Sequence, residues 1–131
     1  MRLYEILDKI INKLGIDWIV ESSKQDGWTV EKWHSGKMVQ TLYRNEDNAG
    51  WTNAPSTVQG AIFNAKTFKF AVPFTSVTAV VGSARVGNGI GYGTTTWPGL
   101  DSVNLHITGS QAMSSSAPVR DISIIAIGKW K

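Results

Sequence analysis

The sequence predicts a mainly β fold: an antiparallel β-sandwich preceded by a short N-terminal helix. Apolar residues recur at helical spacing before Gly15, while several short segments after it alternate apolar and polar residues. Turn-forming Gly, Asn, Ser and Pro residues separate those segments. Because the composition changes once, at Gly15, we expect an oligomerisation helix over 1–15 and one β-sandwich domain over 16–131.

The N-terminal segment 2–14 has the pattern of an amphipathic helix. Gly15 follows it, where a left-handed residue commonly ends a helix. A helix this short is marginal alone, so its apolar side needs a partner, either the same domain or further copies in a parallel bundle. Leu and Ile in a heptad-like seam favour three or four helices, and we expect a trimeric, coiled-coil-like bundle. The seam residues are Leu3, Leu7, Ile10 and Leu14.

The remaining segments predict strands joined by polar turns. Residues 28–33 and 38–43 are expected to pair as a hairpin, which places Trp28 and Trp33 on opposite faces and favours packing roles for both rings. His106 is expected to point away from an apolar strand face. Further strands are expected at 17–22, 61–72, 76–83, 102–108 and 119–131, with Val77, Ala79 and Val81 on one face of their strand. A polar turn is expected at 22–27, and loops are expected at 44–60, 87–99 and 110–118. The glycines of 84–100 also permit a twisted edge strand as the alternative to a loop.

Composition excludes several classes of protein. The chain has 131 residues, a net charge of +3 and no cysteine, which excludes a disulfide framework, a thiolate zinc site and a cysteine nucleophile. The basic residues are scattered, which argues against a nucleic-acid partner. No segment has the length of a membrane-spanning helix or the pattern of a signal peptide, so we expect synthesis in a cytoplasm without membrane insertion. The glycines of 87–93 lack the lysine of a phosphate loop, and no cofactor is expected. His34 and His106 are expected to be surface or hydrogen-bonded residues rather than metal ligands, with a metal ion on a threefold axis of the trimer as the alternative.

Two tryptophans stand out as candidate ligand contacts. Trp51 and Trp97 fall in predicted loops, where binding residues concentrate, and Tyr92 and Asp101 are expected to join Trp97. An indole ring stacks on the apolar face of a sugar. The alternative is that both rings fill a subunit interface. No catalytic triad can be assembled, and no pair of carboxylates is singled out, so we expect a binding protein rather than an enzyme.

Two stretches resemble a known signature. Asp17-Trp-Ile-Val-Glu21, followed by Gly27-Trp-Thr-Val-Glu-Lys-Trp-His-Ser-Gly36, is similar to the opening of the C-terminal module of phage and prophage tail, tail-fibre and minor structural proteins. Ile122-Ser-Ile-Ile-Ala-Ile-Gly-Lys-Trp130 is similar to its ending. Between them, Phe68-Lys-Phe-Ala-Val-Pro-Phe74 resembles a pattern of those modules and of H-type lectin-like sandwiches.

The resemblance covers residues 17–131 and implies a homotrimeric tip domain of a virion. Such a domain would attach to a host cell-surface receptor, expected to be a glycan, and would contact other tail proteins. Two alternatives stay open: a purely structural module that trimerises and docks in the tail, and a glycan-active enzyme.

Overall fold

The computed structural model describes residues 2–55, 62–87, 91–109 and 117–131, and of these all side chains except those of 53–55, 62, 63, 91 and 92. These residues form one helix and nine strands. Their bounds are α1 Leu3–Leu14, β1 Ile19–Gln25, β2 Trp28–Trp33, β3 Lys37–Asp47, β4 Thr52–Pro55, β5 Ile62–Lys69, β6 Ser76–Val86, β7 Gly91–Pro98, β8 Ser102–Gly109 and β9 Val119–Lys129.

The strands form two antiparallel sheets. The five-stranded sheet has the order β1-β2-β3-β9-β6, and the four-stranded sheet has the order β4-β5-β8-β7. Alternate residues of both sheets are buried between them, so the predicted antiparallel β-sandwich with a short N-terminal helix is confirmed. The core includes Trp28, Val30, Met38, Leu42, Phe68, Val103, Leu105, Ile107, Ile122, Ile124 and Ala126.

The predicted hairpin of β2 and β3 is confirmed, with Trp28 opposite Leu42 and Lys32 opposite Met38. The preceding turn is shorter than the expected 22–27, because β1 continues to Gln25. Asp26 and Gly27 alone make this turn, with φ angles of 52° and 85°. Positive φ at both central residues is the geometry of a tight two-residue hairpin, and Asp-Gly is a favoured sequence for it.

Three sequence predictions about strands are wrong. The first is the loop expected over 87–99: residues 91–98 take the alternative of an edge strand and form β7, because they pair along β8 and threonine suits an extended backbone. The expected loop over 44–60 is shorter, because β3 runs to Asp47 and β4 follows at Thr52. Val77 and Ala79 were expected to share one face of β6, but a register shift between them directs their side chains to opposite faces. Val77 packs against the core, whereas Ala79 and Val81 are exposed.

At one side of the sandwich, two threonines join the edge strands of the two sheets. The Thr94 hydroxyl donates to the Gly82 carbonyl at 2.7 Å, and the Thr96 hydroxyl donates to the Val80 carbonyl at 2.8 Å. β7 and β6 are therefore connected through side chains rather than through a backbone ladder. Among the described residues, no helix has the length and apolar character needed to span a membrane.

Candidate functional site

The outer face of the four-stranded sheet presents an exposed indole. Thr94 and Thr96 turn towards β6, so the alternation of β7 directs Trp97 to the opposite face, where its exposed fraction is 74%. The cross-strand neighbour of Trp97 is Asn104, and the neighbour of Asn104 on β5 is Thr67. The ring thus lies beside short polar side chains on a rigid strand.

A second row, formed by two threonines, a histidine and an alanine, lies next to this one. Thr95, His106, Ala65 and Thr52 are aligned across β7, β8, β5 and β4. A shallow depression of about 200 Å³ runs between the rows, in part over His106 and Asn104. We call this surface the polar face; it comprises Trp97, Asn104, Thr67, Thr95, His106 and Thr52.

The polar face has hydrogen-bonding groups to offer. The Thr67 hydroxyl donates to Oδ1 of Asn104, which fixes the amide and leaves its Nδ2 directed elsewhere. Within the described part of the chain, that Nδ2 and the half-buried His106 ring have no hydrogen-bond partner. A flat aromatic ring beside free amide, hydroxyl and imidazole groups can stack on a sugar and bond its hydroxyls.

The four predicted ligand contacts have different outcomes. Trp97 is exposed as expected, although on a strand, and Asp101 is exposed in the β7–β8 turn of the same hairpin. The Tyr92 side chain lies outside the described residues. The expectation that Trp51 presents a surface ring is wrong: it is 8% exposed and packs edge-to-face on Phe68, with ring centroids 6.0 Å apart.

Sequence reasoning missed part of the polar face. Asn104 and Thr67 were not singled out, because their proximity depends on the register between β5 and β8, which are distant in sequence. The alternation of residues 102–108 was the available signal. It correctly predicted that His106 points outward, with Asn104 on the same side of the strand.

The outer face of the five-stranded sheet differs in character. Val81 and Ile125 are cross-strand neighbours, and Ala79 is the neighbour of Ile127. These side chains are exposed or nearly so, as is Tyr43. We call this surface the apolar face; it comprises Val39, Tyr43, Ala79, Val81, Ile125 and Ile127.

The helix α1 also leaves apolar side chains uncovered. None of its described residues is buried, and the seam residue Leu3 is 73% exposed. Gly15 ends the helix with a φ of 69°, as the sequence predicted. A distance of 3.2 Å between a carboxylate oxygen of Asp8 and Nε2 of His34 places the helix beside the β2–β3 turn. The chain's own sandwich therefore does not cover the seam of Leu3, Leu7, Ile10 and Leu14.

The residues of the signature motifs meet at the β2–β3 turn. The Asp17 carboxylate accepts hydrogen bonds from the Ser35 amide and hydroxyl, and the Ser35 hydroxyl is the main reason that the pKa of Asp17 lies below its usual value. Trp18 stacks on His34 with centroids 4.0 Å apart. The Trp130 indole donates to the Trp33 carbonyl at 3.0 Å. Both motifs therefore have a structural role here.

The best-connected carboxylate is Asp47, at the end of β3. It accepts hydrogen bonds from Lys66 at 2.8 and 2.9 Å, from Arg44 at 2.8 Å and from the Ala49 amide at 3.1 Å. Burial alone would raise the pKa of Asp47, but these donors outweigh it and hold the pKa below its usual value. Among the described residues, no group of three or more His, Asp or Glu could hold a metal ion.

The fold and its surfaces define a two-sheet β-sandwich domain that carries an amphipathic N-terminal helix. Comparison with protein-family models, with curated proteins and with solved structures found no match to the chain.

Proposed function

We propose that this chain is the trimeric tip module of a phage tail or tail fibre, and that it attaches the virion to a glycan on the host cell surface. The exposed Trp97 ring on the polar face is the observation that carries the glycan-binding role. The resemblance of residues 17–36 and 122–130 to tail-protein modules supports the setting in a virion.

The chemistry of the polar face favours a sugar over other ligands. A largely exposed indole leaves a large apolar area in water, which a stacked sugar ring would cover. Asn104, Thr67 and His106 offer amide, hydroxyl and imidazole groups as hydrogen-bond partners for the hydroxyl groups of a sugar. Because these side chains stand on paired strands, they are held in place before binding, which lowers the entropic cost of association. Three copies at one tip would retain a ligand that each copy binds weakly.

Replacing Trp97 with alanine is expected to weaken glycan binding about tenfold, because it removes the aromatic ring on which the sugar would stack. The measurement is binding of the purified protein to a glycan array and to host cells. A matched control is Tyr43→Ala, which removes an exposed aromatic ring from the apolar face and should leave binding unchanged. Equal binding by the wild type and the Trp97 variant, with both still trimeric, would show that this site is wrong.

We further propose that the α1 seams assemble the trimer. Replacing Leu7 and Ile10 together with aspartate should convert the trimer into a monomer, because it places charges in the centre of the bundle. Light scattering at micromolar protein concentration measures the result. Asn12→Asp, on the polar side of the same helix, adds a charge without touching the seam and should leave the mass unchanged. A monomeric wild type would contradict the proposal.

The second candidate function is a structural one, a module that trimerises and docks within the tail. The apolar face favours it, because exposed Val81, Ile125 and Tyr43 on one sheet are typical of a surface covered by protein. If Ile125→Lys dissociates the trimer while the seam variant stays trimeric, assembly is through the apolar face. Absence of glycan binding by such a trimer would then favour the structural function.

A further inference from the structure

A second cavity, of about 440 Å³, lies beyond the edge of the polar face. It lies between the β1–β2 turn and the end of β5, and the aromatic residues Trp28, Phe68 and Phe70 form part of its wall. Arg44, Lys66 and Lys69 line the same cavity. It therefore combines aromatic surface with three cationic side chains, whereas the polar face combines an aromatic ring with amide, hydroxyl and imidazole groups.

The charges around this cavity are unbalanced. Asp47 is the partner of both Lys66 and Arg44, so one carboxylate serves two cations. Asp26 lines the cavity as a second carboxylate, and Lys69 has no ion-pair or side-chain hydrogen-bond partner among the residues that the structure describes. Three cations and two carboxylates leave a net positive charge.

Arg44 is held in position for an anion. Its guanidinium carbon lies 5.5 Å from the centroid of the Phe68 ring, and its Nη1 donates a hydrogen bond to Oδ2 of Asp47 at 2.8 Å. One of its five N–H donors is used in that bond, and the others remain for a ligand. A planar guanidinium held in this way suits the paired oxygens of a carboxylate or phosphate.

The cavity is continuous with the polar face. Lys66 and Thr67 line both depressions, and Thr67 is bonded to Asn104, the neighbour of Trp97. β4 pairs with β5 only up to Ala65, so the four-stranded sheet has an open edge from Lys66 to Lys69. A saccharide that stacks on Trp97 can therefore extend over this edge towards Arg44 and Lys69.

We propose that the ligand is an acidic saccharide, and that its acid group binds between Arg44 and Lys69 in the cavity beside the polar face. This proposal deepens the glycan-binding role proposed above and rests on it. The shared chemistry is a sugar bearing a carboxylate or a phosphate.

The indole N–H groups of two tryptophans report separately on the two proposals. Trp28 Nε1 donates to the Lys69 carbonyl at 2.9 Å in the wall of the cavity, whereas Trp97 marks the polar face. Nuclear magnetic resonance spectra of the ¹⁵N-labelled full chain would be recorded during titration with galactose, galacturonic acid and galactose 6-phosphate. All three have the galactose ring. The first has no acid group, the second has a carboxylate and the third has a phosphate.

The expected result is that at least one of the two acids shifts the Trp28 indole and Lys69 amide signals, while galactose does not. The responding acid identifies the carboxylate or the phosphate as the preferred group. Lys69→Gln should weaken binding of that acid about fivefold, and Lys129→Gln, an exposed lysine of the other sheet, should not. If neither acid moves these signals, the acidic-ligand proposal is overturned. If Trp97 alone shifts, the glycan-binding role stands without the acid site. If Trp28 shifts and Trp97 does not, the cavity binds an acid, but glycan binding at the polar face is contradicted.

Discussion

The Gly128→Ala variant is expected to lose about 3 kcal/mol of unfolding free energy. Gly128 lies in β9, an inner strand of the five-stranded sheet, opposite Val77 of β6. A Cβ atom there would overlap the Ser76 carbonyl oxygen and would lie 2.7 Å from Cδ1 of Phe74 and 3.1 Å from Cα of Val77. The Ser76 oxygen and the Val77 Cα are backbone atoms of β6, so they cannot move aside as a flexible side chain would.

Urea denaturation followed by tryptophan fluorescence measures this loss. The matched control is Gly93→Ala in β7, where an added Cβ would meet no atom within 4 Å, and stability should change by less than about 1 kcal/mol. Equal stability of the two variants would mean that the approach of β9 to β6 is looser than described.

The Asp47→Asn variant is expected to lose about 2 to 3 kcal/mol at pH 7. The carboxylate is only 6% exposed, and its removal leaves Lys66 and Arg44 without their common counter-ion. Because the folded state lowers the pKa of Asp47, its contribution is fully present above the unfolded-state pKa of about 3.9 and disappears as the pH falls through the lower folded-state pKa. The difference between wild type and variant should therefore shrink in acid.

Urea titrations at pH 7 and at pH 2 to 3 test both parts of this prediction. Asp121→Asn is the control, because Asp121 also pairs with an arginine, Arg85, but on the surface, where such a pair contributes less than about 1 kcal/mol. Asparagine also tolerates the positive φ of 53° at that position. If Asp121→Asn loses as much unfolding free energy as Asp47→Asn, burial of the Asp47 carboxylate is not the cause of the loss.

Local alternation was enough to predict much of the fold. It gave the β2–β3 hairpin, the opposite faces of Trp28 and Trp33, and the outward turn of His106. It failed where a residue's partner is remote. The glycines of 84–100 allowed either a loop or an edge strand, and only the pairing with β8 makes a strand of residues 91–98. The bulge near Val77 changes which face a side chain occupies, without a local signal in the sequence.

The candidate site was predictable only in part for the same reason. Trp97 was identified because it is aromatic among small polar residues, but the same reasoning selected Trp51, which Phe68 helps to bury. Asn104, Thr67, Arg44 and Lys69 come together through contacts between strands and sheets that no local pattern encodes. Likewise, Asp17 and Ser35 were part of a recognised motif, but only the structure gives the hydrogen bonds between them.

The hydrogen bonds of Thr94 and Thr96 have a consequence for solubility. β6 is an edge strand of 11 residues, and an uncovered edge of that length is a template onto which a strand of another molecule can add. The two hydroxyl groups occupy the carbonyls of Val80 and Gly82 in the middle of that edge, and β7 lies across it. The threonines of β7 thereby protect the β6 edge of the sandwich against the addition of a strand from another molecule.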